Sequence, residues 1–164
     1  MEQPKTAEVL RVPNYSLGYL YALGAVVAGI IVWVLVWKMG FIASIVAFGM
    51  AAGVSYLYQL GAKANIDKKS GIILIIMIIV GLLLAFGAGM VSDAWDVYSS
   101  IVPGSSLFDS GFINFVTSAI SQGGVIAAYG KDFAMAALFG ALGSFGIIKD
   151  LINASKQPVK PAVK

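Results

Sequence analysis

Long apolar runs broken by short polar segments set the layout of this chain. Residues 72–91, IILIIMIIVGLLLAFGAGMV, hold six Ile, four Leu, two Val and one Phe and carry no charge. Twenty residues at ~1.5 Å each reach ~30 Å, the thickness of a bilayer's hydrocarbon core. Thirteen large apolar side chains at ~0.3–0.6 kcal/mol each favour insertion by roughly 4–8 kcal/mol, so the run predicts a membrane-spanning helix. Lys68, Lys69 and Ser70 precede it, and Ser92, Asp93, Trp95 and Asp96 follow. Residues 17–37 are likewise uncharged, with Tyr15, Tyr19 and Tyr21 at one end and Trp33 and Trp37 at the other, a pattern that reads as interfacial aromatic belts. Lys38-Met39-Gly40 leaves room only for a tight turn before the uncharged residues 41–60, so the first two helices form an antiparallel hairpin. The fourth expected span is 133–148, only ~24 Å long, bracketed by Lys131-Asp132 and Lys149-Asp150.

Between these runs the chain is polar. Residues 1–16 mix charges with two prolines and read as a short polar arm; Glu2, Glu8 and the long apolar segment after them are unlike a secretory signal peptide. Asn14 or Ser16 can cap the first helix. Residues 61–71, GAKANIDKKSG, form a basic loop. The outer segment, 92–132, contains a turn at Pro103-Gly104-Ser105-Ser106 and an uncharged stretch, 111–130, whose middle is broken by Gly123-Gly124. If that stretch does not cross, Lys5, Arg11, Lys63, Lys68, Lys69, Lys149, Lys156, Lys160 and Lys164 fall inside and only Lys38 and Lys131 outside. The positive-inside rule therefore favours four spans with both termini cytoplasmic, and a re-entrant or interfacial helix at 111–130 with Phe112, Phe115, Val116, Ala119 and Ile120 on its apolar face. The membrane domain then covers 17–150, and residues 151–164 read as a basic, disordered cytoplasmic tail.

Composition narrows the chemistry. The 164 residues are 59% apolar and only 12% charged, where soluble domains carry about 25%. Mean hydropathy is +0.89. With no His and no Cys, the chain offers no disulfide, no imidazole relay and no thiol chemistry, and neither a cofactor nor a metal is expected. Its net charge of +3 is too small and dispersed for nucleic acid. Asp93 and Asp96 would share a face on a continued helix, yet two carboxylates without further fixed oxygens make a poor cation site, and solvated loop acids or a cap fit them better. Lys131-Asp132 would lie partway along a helix if the chain is helical from Val125, or else ends a short one at the interface.

Small residues recur at four-residue spacing in every span: Gly24 and Ala28, and Ala25 and Gly29, in the first; Gly49 and Gly53 in the second; Gly81, Ala85 and Gly89 in the third; Ala136, Gly140 and Ser144 in the fourth. In lipid such ridges let helix backbones approach closely. They either hold one bundle together or, most plausibly at Gly49 and Gly53, bind another subunit. Asn114, Ser118, Ser121 and Gln122 give 111–130 a polar stripe that could line a vestibule. Lys63, Lys68 and Lys69 could touch anionic lipid.

The run YSLGYLYALGAVVAGIIVWVLVWKMGFIASIVAFGMAAGVSYLYQLGAK resembles a pattern of small bacterial integral membrane proteins of unassigned function, in its hydropathy and glycine placement over two helices. The resemblance implies four helices in a bacterial cytoplasmic membrane and carries over no catalytic or binding residue. The sequence therefore leads to an all-α, polytopic membrane protein, acting as a non-enzymatic accessory subunit or scaffold whose Gly/Ala faces pack in a larger complex or a homo-oligomer. A small oligomeric transporter or channel built on 114–122 is the alternative.

Overall fold

The computed structural model describes residues 13–40, 43–121 and 124–156. Among them every regular element is helical: α1 Tyr15–Lys38, α2 Ser44–Ala62, α3 Lys68–Ile101, α4 Ser110–Ser121, α5 Gly124–Gly143 and α6 Phe145–Lys156. Most of the arm, the end of the tail and Gln122 lie outside the described residues. Three helices, α1, α2 and α3, are long and apolar enough to cross a membrane, and α5 with α6 makes a fourth if the pair, bent by 48°, is one span.

Local chemistry fixes the helix ends. The Asn14 side chain accepts from Leu17 N–H at 3.0 Å and starts α1. At the other end Gly40, with φ +72°, turns the chain out, its N–H donating to Trp37 O. Lys63 takes the left-handed conformation more usual for glycine, and its N–H returns to Gln59 O. Asp67 then caps α3 by accepting from Ser70 N–H.

Three boundaries differ from the sequence reading. α3 does not stop near Val91 but continues to Ile101, because nothing in SDAWDVYSSI breaks a helix before Pro103 forces a turn. At 34 residues it is ~51 Å long, about four turns longer than a ~30 Å slab is thick, and its last ten residues, 92–101, overhang the apolar run. The stretch 111–130 is not one helix: α4 ends at Ser121 and α5 begins at Gly124, so its second half joins the fourth apolar rod. Lys131 and Asp132 consequently sit inside α5 with their side chains exposed. Residues 151–156 are helical as the last turns of α6, which turns Ile147 and Leu151 inward and Lys149 outward.

Packing follows the small residues. α1 buries Gly18, Ala22, Ala25, Gly29 and Trp33, one stripe at three- and four-residue spacing, against α2. A Cβ on Gly29 would lie 2.7 Å from Met50 Cγ, and one on Gly61 2.7 Å from the backbone oxygen of Leu17. α3 fits against α1 in the same way, with Gly81 against Val26 and Gly89 against the Trp37 ring. α5 lies on α2, where Gly143 meets the backbone of Phe48. The helices thus form a ring in the order α3, α1, α2, α5, and the side between α3 and α5 is parted by an apolar groove of about 300 Å³ lined by Ile75, Leu82, Phe86, Phe133 and Ala136. Outward, Leu20, Val27, Ile31, Leu35, Ile76, Ile79 and Leu83 are all about half exposed or more, a surface suited to lipid.

Replacing Gly61 or Gly143 by Ala is expected to destabilise the protein by ~1–3 kcal/mol, since backbone atoms cannot give way. Gly24→Ala and Gly49→Ala, where nothing lies within 4 Å, are expected to be neutral or to stabilise by up to ~1 kcal/mol through helix propensity. Unfolding midpoints in detergent, compared across the four variants, check both halves.

Candidate functional site

The overhanging part of α3 carries the most chemically distinctive group among the described residues. Asp93 lies one turn beyond Gly89, on the side where α3 meets the end of α1. There Trp37 donates its Nε1–H to Asp93 Oδ1 at 2.9 Å, and Tyr129 of α5 donates its hydroxyl to Oδ2 at 3.0 Å. Three helices therefore converge on one half-buried carboxylate, and both of its oxygens accept from neutral donors. Aromatic rings complete the frame: Trp37 stacks on Tyr129 at 5.8 Å, and Phe86 meets Trp37, Tyr129 and Phe133 edge-on. Asp96, one turn further out, pairs with Lys38 at 2.9 Å. Both partners of that bridge are close to half exposed or more, so it is worth at most about 1 kcal/mol. Asp93 and Asp96 thus lie on a continuous helix rather than in a loop, and each has a different partner on or beside α1.

Next to Asp93 lies a second groove, about 320 Å³, between the overhang of α3 and α4. Met90, Val97, Phe115, Val116 and Ile120 make it apolar, and Asp93 and Tyr129 are its polar lining. α4 is held there by Phe112, which is buried against Trp95 and Tyr98, while Phe115 also meets Tyr98. The face of α4 that the sequence marks as apolar is the one turned to α3. Asn114, Ser118 and Ser121 point the other way and are exposed, and the Thr117 and Ser121 hydroxyls bond back to the carbonyls of Ile113 and Ser118. Gln122 lies outside the described residues.

The small residues separate into two groups. Ala25, Gly29, Gly81, Ala85, Gly89, Ala136, Gly140 and Ser144 are buried inside the chain's own interfaces. Gly140 receives Leu82, and the Ser144 hydroxyl donates to Gly140 O at 2.8 Å where α5 bends into α6. Gly53 is half-buried near Ala25, whereas Gly24, Ala28 and Gly49 are exposed. Gly18, Gly61 and Gly143 are among the tightest contacts; Gly18 forms a four-residue pair with Ala22 that the sequence reading passes over, whereas Gly61 and Gly143 have large or polar residues four positions away and escape such a search.

The opposite, basic end has its own polar knot. Ser70 Oγ accepts the hydroxyls of Tyr58 at 2.6 Å and Tyr19 at 3.0 Å, and Tyr58 is fully buried. Tyr19 is therefore a cross-helix bonding group, not only a belt residue. With both acceptor positions of Ser70 filled, its own proton is free to serve Asp67. Hydrogen bonding from the Ser70 side chain, partly opposed by desolvation and reinforced by the Ser70 backbone N–H, holds the Asp67 carboxyl below its ordinary value.

Ser70→Ala leaves the buried Tyr58 hydroxyl without its acceptor and is expected to cost ~1–3 kcal/mol, read as a lowered unfolding midpoint in detergent. Because the folded pKa of Asp67 lies below the unfolded one, its stabilisation is complete above the ordinary carboxylate range near ~3.9 and disappears as pH falls through the lowered folded value. An acid titration of stability should thus lose its lowest-pH component in Asp67→Asn. No family model, curated protein or solved structure matches the chain, so these sites are read from their own geometry.

Proposed function

We propose that the chain is a polytopic membrane protein of a bacterial cytoplasmic membrane with four spans: α1, α2, the inner part of α3, and the bent α5–α6 pair. α4 lies at or re-enters the outer interface, the basic end faces the cytoplasm, and both termini are cytoplasmic. Its role in this reading is that of a small non-enzymatic subunit or scaffold that packs against other membrane helices, either of a partner or of further copies of itself.

The supporting observation is that some small-residue faces stay open after the chain's own helices have packed. Gly24 and Ala28 are exposed on α1 between Leu20, Leu23, Val27 and Ile31, and Gly49 is exposed on α2 beside Ile45 and Phe48. Apolar side chains gain little by leaving lipid for one another, so association in a bilayer depends on close backbone approach. A glycine facing lipid permits that approach and does nothing for the monomer. A pore built on Asn114, Ser118, Ser121 and Gln122 has weaker support, since the groove beside α4 is lined by the opposite face of that helix.

Mild-detergent pull-down with mass spectrometry, together with the mass of the purified particle, tests the proposal. The unaltered protein should be recovered with another membrane protein or as an oligomer. Gly24→Ile with Ala28→Ile, or Gly49→Ile, should release it as a monomer while its unfolding midpoint changes little, because the added side chains meet open space. A lone monomer whose behaviour none of these substitutions alters would end this reading.

A further inference from the structure

We infer that the groove between the α3 overhang and α4 is a binding site for a small organic monocation with an apolar body, with Asp93 as its counter-charge. Three observations converge. First, Asp93 carries a negative charge that no described residue neutralises: its two oxygens accept from Trp37 and Tyr129, both neutral, and the ion pair formed nearby commits Lys38 to Asp96. A half-buried carboxylate fixed by two neutral donors keeps its negative potential, and each oxygen has a further lone pair for a third partner. Second, this carboxylate lines a cavity of about 320 Å³, within the size range of small-molecule sites, whose other walls are apolar. Third, the walls include the rings of Phe115 and Tyr129, with Trp37 stacked behind, and aromatic faces attract organic cations.

The chemistry excludes most other occupants. An anion is repelled by Asp93, and a neutral apolar molecule leaves the hydrogen-bonded carboxylate without a counter-charge. A partner's transmembrane helix, ~10 Å across, does not fit between α3 and α4 while Phe112 and Phe115 pin α4 to Trp95 and Tyr98. A quaternary or primary ammonium on a small hydrocarbon body satisfies both the charge and the walls. The site lies at the acidic end of the bundle, straddling the end of the apolar run 72–91, so a ligand can reach it from the interface.

Calorimetric titration of the purified full-length protein in detergent with benzyltrimethylammonium, with neopentylbenzene as its uncharged isostere and benzenesulfonate as an anion, provides the test. The cation should bind, and the isostere and the anion should bind at least tenfold more weakly. Asp93→Asn, which keeps the shape and one acceptor oxygen for Trp37 while the Tyr129 hydroxyl can turn to accept from the amide, should weaken the cation at least tenfold, and Asp96→Asn should change it less than twofold. Val116→Trp, which fills the groove and leaves the carboxylate in place, should abolish binding and guards against a folding defect in Asp93→Asn. Equal binding of cation and isostere, or binding undiminished in both Asp93→Asn and Val116→Trp, would overturn the inference. So would a protein that ignores the cation but loses an oligomeric partner on Asp93→Asn, because the charge would then belong to a partner's basic side chain. That last result leaves the subunit reading intact, so the two proposals fail separately.

Discussion

Close approach of the α1 and α2 backbones is the constraint on which the rest of this structure depends. Where the surroundings are as apolar as the side chains, burying Leu or Ile against each other yields little, and contact must come from dispersion between atoms brought near. Gly18 under Tyr58 and Ala62, Gly29 under Met50 and Gly61 against Leu17 create that nearness along the whole hairpin. Once the hairpin is closed it offers two surfaces, one from α1 to α3 and one from α2 to α5. Among the described residues α3 and α5 touch more sparingly, through Leu82 against Gly140, Phe86 against Phe133 and the bond from Tyr129 to Asp93, and an apolar groove lies between them.

Among the described residues, side-chain hydrogen bonds between helices lie at the ends of the bundle. Near the basic end, Ser70 ties α3 to α1 and α2 through two tyrosine hydroxyls. At the acidic end, Asp93 ties α3 to α1 and α5 through an indole and a phenol. Between these levels the described interior has few side-chain hydrogen bonds, as expected where an unsatisfied polar group would have no water to turn to. The two knots use the same device: one small polar residue on α3 accepts from large aromatic donors on its neighbours, so the donors' rings contribute packing as well as a proton.

The helices were largely legible in the sequence, and the contacts at their ends were not. Uncharged runs as long as a bilayer is thick, the Asn14 cap, the tight turn at Gly40 and the apolar face of α4 follow from residue pattern alone. The overhang of α3 was hidden because Ser92, Asp93 and Asp96 look like the polar boundary of a span; helix propensity continued the rod where hydropathy stopped. Gly123-Gly124 marks the division of 111–130, although the uncharged length of that stretch matches a single segment. Four-residue spacing identified the buried Gly29, Gly81, Ala85 and Gly140, but it could not say which ridges face inward, since Gly24 and Gly29 sit on one helix and have opposite fates. The partners of Asp93 were beyond reach because Trp37, Asp93 and Tyr129 are far apart in the chain and each has an ordinary role near a membrane surface.

The unbroken course of α3 has a mechanical corollary. Ser70 and Asp93 belong to one stiff rod and lie ~35 Å apart along it, each clamped by aromatic donors from other helices. No break in the helix separates the two clamps, so a turn of the rod about its axis displaces the acceptor at each of them. Any rotation of that axle must therefore register at both of its anchorages together.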